Sequence, residues 1–403
     1  MTPANIPSPS KSVIYLGACG FPYGYAEIQK IILISKSLVL TNNEVTVVST
    51  KGTHNCKDYP DMQATGIFEG IHYLYTSGSP YRNDRFLKRN LLKIKGAFNE
   101  WLFLRKKAKA NQLDVAIIST HRFILIVYYR ILSRIYGFKI VLNYVEFFSK
   151  LKKKWYRFGA RLNDILYDRY APALSDGVLP ISEFLIDHLK KVAPAKKFLK
   201  IPGLTDFDRY NNVDTIDNCE KYFLFCGAGA YMEIIKFIID AYNLLPDSSV
   251  YLYLVINGNK KEMTEVKNYI ANSHKKDYIK LLSKLPEKEL FTYYKNAMAL
   301  LIPLRPTFQD IARFPHKTGE YMASGNPVIS TNYGEIKFYF RDNKDMLLAD
   351  SYDVKLFADK MKFAIDNQEA IKQIGATGKI IASSLFDYKC KAKEIDNFLD
   401  QLS

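Results

Sequence analysis

Cysteine is sparse and unpaired in this chain. The five residues, Cys19, Cys56, Cys219, Cys226 and Cys390, are scattered and include no Cys-x-x-Cys pair. An odd, dispersed set argues against a disulfide framework and a zinc site, and it fits a reducing, cytoplasmic setting. No stretch of about 18 uninterrupted apolar residues occurs, so no spanning helix is expected. The N-terminal MTPANIPSPSKSVIYLGACG lacks the charged start and long apolar run of a secretory signal. The expectation is a protein that is soluble or rests on a membrane surface. Acidic residues are also in short supply. Against 57 Lys and Arg stand 41 Asp and Glu, a net charge of +16, which calls for an anionic partner: nucleic acid, anionic lipid or a phosphorylated metabolite. Zinc-finger and ribonucleoprotein aromatic motifs are missing, as is a convincing recognition helix, which disfavours nucleic acid.

What is present is an ordinary globular composition, 48% hydrophobic and 24% charged over 403 residues, enough for two domains with cores of their own. VIYLGA, a Gly-containing loop, the helical AEIQKIILISKSLVL and the strand EVTVVST make a βαβ unit. The alternation continues through DVAIIST, KIVLNYV and GVLPIS. The segment between Lys200 and Glu220 is rich in Asp, Asn and Gly and reads as a linker. A second alternation follows: strands KYFLFCGAG, VYLYLVING, IKLLSKL, MALLIPL and NPVIST, separated by helical stretches, and two C-terminal helices. The fold class is therefore α/β, two Rossmann-like doubly wound domains facing across a cleft where ligands bind at the carboxyl ends of the strands. The division is residues 1–205, 206–385 and a C-terminal helix, 386–403, that can pack back on the first domain.

The segment PLRPTFQDIARFPHKTGEYMASGNPVIST, Pro303 to Thr331, resembles the donor-binding region of the family 4 retaining glycosyltransferases, which have the GT-B fold. Glu320, Tyr321, Met322, Ala323, Gly325, Pro327 and Val328 match that family's glutamate, small-residue turn and strand. The resemblance implies that Glu320 binds the ribose hydroxyls of a nucleotide and that the loop before its helix touches the diphosphate. The chemistry agrees. Pro315 pre-sets a first helical turn whose backbone N–H groups and partial positive charge suit a diphosphate. Arg313, Phe314, His316 and Lys317 flank that helix start, and three of them bring donors. GFPYGYAEIQK, with Gly24 and Glu27, is similar to the family's first Gly-rich loop. DGVLPISEFLIDHLKK with Ser182, IPGLTDFDRY with Pro202 and Asp206, FLFCGAGA with Gly227, and GEIKFYFRDN with Gly334 and Glu335 extend the likeness over most of the chain.

The departures are specific. The family's earlier glutamate, eight positions before Glu320, is Ala312, with Asp310 and Gln309 the nearest polar replacements. Its Arg and Lys after the first C-domain glycine fall on Ala228 and Glu233, and Lys236 lies one turn too late. Arg313 and Lys317, with Arg305, are expected to supply the missing positive charge. In the first domain His121 and Glu146 follow the strands DVAIIST and KIVLNYV; Val145 stands where the family's histidine is expected, and Glu146 is a replacement for it. The catalytic candidates are thus Glu146, His121 and Asp310.

The implied reaction is transfer of a sugar from a nucleoside-diphosphate sugar to a glycan or lipid-linked acceptor, hexosyltransferase-type, with retention, in cell-surface polysaccharide or lipopolysaccharide assembly. A non-catalytic scaffold and a sugar-nucleotide epimerase are the alternatives. The sequence offers no Asp-x-Asp of the type that clamps a metal on a diphosphate, so no cofactor or metal is expected. Positive charge gathers at 82–109 and 150–161. The first of these mixes cations with Phe86, Leu87, Leu91, Ile94, Phe98 and Trp101, the make-up of a basic amphipathic helix that either rests on anionic lipid at the cytoplasmic face of the membrane or packs its apolar side on its own domain.

Overall fold

The computed structural model describes residues 11–24, 26–151, 158–211, 213, 220–246 and 249–402. Cys219 and half of the second basic stretch, residues 152–157, lie outside the described residues. The chain divides into two compact units, Met1–Leu204 with Tyr388–Ser403, and Thr205–Asp387.

The first unit holds one sheet of β1 (Ser12–Leu16), β2 (Glu44–Ser49), β3 (Thr65–Phe68), β4 (Ile71–Tyr75), β5 (Val115–Ile118), β6 (Lys139–Tyr144), β7 (Gly177–Pro180) and β8 (Lys197–Phe198). Its order is β3-β4-β2-β1-β5-β6-β7-β8, and only the β3–β4 pair is antiparallel. The crossovers are α1 (Ala26–Leu40), α2 (Phe86–Lys109), α3 (Phe123–Tyr136), α4 (Phe158–Leu174) and α5 (Glu183–Val192). β1, β5 and β7 are buried along their whole length, as strands covered on both faces must be, which is why they read as unbroken apolar runs. The β3–β4 hairpin is not expected from the sequence. Its turn, Glu69–Gly70, holds both residues at positive φ, 49° and 81°, the geometry of a type I′ turn usually signalled by Asn-Gly or Asp-Gly.

The second unit holds β9 (Tyr222–Ala228), β10 (Tyr251–Asn257), β11 (Ile279–Leu282), β12 (Ala299–Ile302), β13 (Val328–Thr331) and β14 (Leu347–Ala349), all parallel in the order β11-β10-β9-β12-β13-β14. This is the Rossmann arrangement, with the switch in direction between β9 and β12. The helices are α6 (Met232–Asn243), α7 (Lys260–Ala271), α8 (Glu287–Asn296), α9 (Phe308–Ala312), α10 (Lys317–Ser324), α11 (Ile336–Tyr339), α12 (Val354–Asp366) and α13 (Gln368–Phe386). With α14 (Tyr388–Asp400) the C-terminal part has three long helices where two are expected, because Asn367 stops α12 and α13 starts at once. α14 belongs to the first unit. There Ser37 Oγ donates to the Tyr388 carbonyl (2.6 Å), and Lys11 Nζ pairs with Asp396 (2.7 Å), which also accepts from Asn43 Nδ2 (2.9 Å).

α2 does not pack its apolar side on its own domain. Only Gly96, Glu100 and Leu104 are buried, whereas Phe86, Leu87, Leu91, Ile94, Phe98 and Leu102 are exposed. Leu87, Leu91, Ile94, Phe98 and Leu102 follow the three-to-four spacing of a single helix face.

Candidate active site

In open α/β sheets ligands bind outside the carboxyl ends of the strands at the switch point. In the second unit that place lies between the loops after β9 and β12. The β9 loop carries Gly227, Ala228 and Tyr231, and the β12 loop carries Arg305 and leads through α9 to Arg313 and α10. Thr307 caps α9 by accepting from Asp310 N at 3.2 Å. Thr331 Oγ1, at the end of β13, accepts from Leu304 N (2.8 Å) and donates to Leu304 O (2.6 Å), which fixes the β12 loop.

α10 begins without a side-chain cap and ends at Gly325, φ 84°, so no side chain competes for the N–H groups of its first turn. Glu320 sits one turn in. Its Oε1 lies 3.4 Å from His316 Nε2 and its Oε2 3.8 Å from Lys317 Nζ. Lys317 Nζ also donates to Tyr294 OH at 3.3 Å. Burial works against the Lys317 charge, but Glu320 and Cys226 outweigh it and hold the pKa above the usual lysine value. The Arg313 guanidinium reaches Tyr231 OH at 3.4 Å. With the Gln309 amide turned so that its oxygen faces the guanidinium, that oxygen accepts at 2.8 and 2.9 Å. Thus His316, Lys317 and Glu320 form one contiguous polar group, with Arg313 just ahead of it in the chain and tethered to the β9 loop.

Three expectations change here. Arg305 and Asp310 grip each other, Arg305 Nε to Oδ2 at 2.8 Å and Nη2 to Oδ1 at 2.9 Å, and Arg305 Nη1 reaches Glu233 at 3.0 Å. The guanidinium is therefore already neutralised by two carboxylates, so Arg305 does not supply spare positive charge. Asp310, 7% exposed and committed to that bidentate pair, is a clamp for the β12 loop and not a free acid or base. Phe314 is likewise withdrawn: its buried ring packs against Phe386 (4.9 Å) and Tyr339 (5.9 Å), so it places Arg313 and Pro315 but contributes core contact.

Gly227 lies at the end of β9 opposite Ile256 of β10. Gly24, in the loop before α1, has a purely local reason to be glycine, since a Cβ there would stand 2.4 Å from Ile28 Cγ1. In the first unit His121 follows β5 and stacks on Phe148 at 4.7 Å, and Glu146 follows β6 and is buried. β5 and β6 are neighbouring parallel strands, so both residues stand at the same edge of the sheet. The turn carrying Phe148 is pinned by Asp168, whose carboxylate accepts from Ser149 N (2.7 Å) and Tyr144 OH (2.9 Å).

One Asp-x-Asp does occur, Asp206-Phe207-Asp208. Asp206 Oδ1 accepts from Asp208 N at 3.2 Å and caps a short 3-10 turn, Phe207–Tyr210, so its carboxylate serves the backbone. Among the described residues no group of three or more His, Cys, Asp or Glu could hold a metal ion. Sequence reasoning misses Tyr231, Tyr294 and the Arg305–Glu233 pair. The partners of these residues lie 23 to 82 positions away, and only the parallel sheet brings their loops to one edge.

Comparison with known proteins now adds what geometry alone does not. Over nearly its whole length the chain is similar to sucrose-phosphate synthase from Thermosynechococcus elongatus (TM-score 0.77, 15% identity, 97% of this chain and 99% of the other). It is similar also to HepE from Anabaena in complex with UDP (TM-score 0.69, 15% identity, 97% and 100%), a protein solved with UDP-glucose too. The protein has the GT-B fold. Within it, residues 206–380 match the family described as glycosyl transferases group 1, so the second unit is a domain of group 1 glycosyltransferase type. An uncharacterised glycosyltransferase of Methanocaldococcus jannaschii is 23% identical over 222 residues, 55% of this chain and 59% of that relative's length.

Proposed function

We propose that the protein is a glycosyltransferase that takes a hexose from a nucleoside-diphosphate donor held by the second unit and delivers it, with retention, to a lipid-linked or glycan acceptor of cell-surface polysaccharide assembly. The observation that carries this is the α10 start. An uncapped helix N-terminus bears Glu320 between His316 and Lys317, inside the segment that matches the group 1 family. Glu320 would accept two hydrogen bonds from the ribose diol. Arg313, His316, Lys317 and the helix N–H groups would stabilise the diphosphate as it leaves, which is where the electrostatic contribution to such a transfer is largest. With the leaving group met by cations from the chain, transfer needs no divalent metal. His121 and Glu146, at the edge of the first sheet, would orient the sugar or the acceptor. That HepE binds UDP-glucose supports a nucleotide sugar as donor.

Membrane placement belongs to the same reading. Ile124, Ile131 and Ile135 of α3 and Phe158, Leu162 and Ile165 of α4 are exposed as well. Lys88 and Lys95 flank the α2 face, whereas Arg89 and Lys93 lie on the far side of the helix. Apolar side chains bordered by cations suit the surface of an anionic bilayer, with no helix among those described long and apolar enough to cross it.

Isothermal titration of UDP, GDP and ADP against wild type and Glu320→Ala is the direct test. One of them should bind the wild type below millimolar, and the variant should bind it roughly 10- to 100-fold more weakly, the worth of one to two charge-assisted hydrogen bonds. Binding of none would refute the donor site. Transfer lost in EDTA and restored by Mn²⁺ would refute metal independence, and an epimerised sugar nucleotide formed without acceptor would make the protein an epimerase.

A further inference from the structure

The first unit contains a cavity of about 310 Å³ that the donor site does not account for. Lys51, from the loop after β2, Arg82 and Asn83, from the turn before α2, and Arg89, Leu92 and Lys93, from the first turns of α2, line it. Its size lies at the lower end of the range of small-ligand pockets, roughly 300 Å³ upward. No carboxylate is among its lining residues. Among the described residues none of the four cations is held in an ion pair, and Lys93 bonds only the Asn90 amide, at 3.0 Å.

The walls are built rather than incidental. Thr53 N and His54 N both donate to Pro80 O (2.9 and 3.1 Å), and Arg82 N donates to His54 O (2.9 Å), which zips the two loops together. Gly52 lets them touch, since a Cβ there would lie 2.2 Å from Tyr81 O. Tyr81 OH anchors the turn from beneath, with the Tyr59 carbonyl oxygen 2.7 Å away. α2 is pinned through Gly96, whose carbonyl accepts from Thr76 Oγ1 at 2.8 Å. Gathering four cations on a rigid frame costs free energy through mutual repulsion unless an anion completes it. Two guanidiniums favour an oxyanion with several acceptor oxygens, and phosphate esters and diphosphates have that form. Leu92 closes one side.

We infer that this cavity binds the phosphate or diphosphate group of the acceptor. The word acceptor rests on the transferase reading above; the phosphate site does not. The same phosphate chemistry is offered by bilayer lipids, so the test separates the two sources. Decyl phosphate below its micellar concentration, inorganic diphosphate and phosphatidylglycerol vesicles are titrated into wild type, Arg82→Gln/Arg89→Gln and Lys51→Gln. UDP binding in each variant serves as the control for folding and for the donor site. The expected result is saturable decyl phosphate binding, weakened at least 10-fold by the double substitution and several-fold by Lys51→Gln, with UDP affinity unchanged. Inorganic diphosphate should compete. Decyl phosphate affinity equal in all three proteins would overturn the site. Vesicle binding that depends on Arg82 and Arg89 while decyl phosphate and diphosphate fail to bind would overturn it too, because the cations would then serve only surface charge. Absence of UDP, GDP and ADP binding with decyl phosphate binding intact would overturn the donor reading and leave the phosphate site standing.

Discussion

Replacing Leu91 and Ile94 by Gln tests whether α2 meets a bilayer. Leu91 is 67% and Ile94 69% exposed, beside Leu87 at 77% and Phe98 at 56%. Full burial of such a side chain is worth about 1.5–3 kcal/mol, so with two thirds of the surface still in water each residue has about 1–2 kcal/mol to gain from a membrane. The double variant should therefore lose about 2–4 kcal/mol, roughly 30- to 700-fold in partitioning. Its folding stability should move by less than about 0.5 kcal/mol, because both side chains are exposed in the folded protein. Each cation near an anionic surface adds about 1 kcal/mol, a contribution that salt screens. Sedimentation with phosphatidylglycerol and with phosphatidylcholine vesicles, at low and high salt, reads the apolar and the charge contributions, and urea midpoints read the folding stability. Equal binding of wild type and variant would refute the reasoning. So would a dimer of wild type that the variant abolishes without any vesicle binding, since the face would then be a contact between copies of this chain.

Two further predictions concern how α2 is seated. Glu100 is buried, and burial pushes its carboxyl up to about 7 although Tyr129 OH donates to it at 3.1 Å. A raised folded pKa means that the folded state holds a proton the unfolded chain has released. Its contribution is therefore complete below about pH 4.5 and is lost as pH rises toward 7. Glu100→Gln should flatten that loss and raise stability at pH 8 by a few kcal/mol at most, on the order of 3; urea midpoints at pH 5 and 8 that shift equally would refute it. Gly96→Ala should destabilise by about 2 kcal/mol, although alanine favours a helix by about 1, because the new Cβ would lie 1.8 Å from the Thr50 carbonyl oxygen. A higher urea midpoint would show that α2 is not pinned there.

Much of the architecture is legible along the chain because it is local. Parallel strands buried on both faces must be apolar throughout, so β1, β5, β9, β12 and β13 announce themselves. Pro315 and Gly325 bracket α10 for equally local reasons, and they put Glu320 one turn past Lys317 before any coordinate is known. The Glu69–Gly70 hairpin is hidden because its turn uses an uncommon residue pair.

The partners of charged side chains could not be read that way. Arg305 looks like spare positive charge in sequence, yet Glu233, 72 positions earlier, and Asp310 take it up. Phe314 sits among polar site residues and turns its ring to Phe386, 72 positions later. Nor does the pattern of α2 say whether its apolar face is covered, since the same periodicity serves a core and a membrane. Composition and period along one chain determine which segments fold into strands and helices and where a helix such as α10 starts and stops. Which carboxylate reaches which cation, and which apolar face stays bare, depends on elements far apart in sequence packing at one sheet edge, and only the tertiary structure decides it.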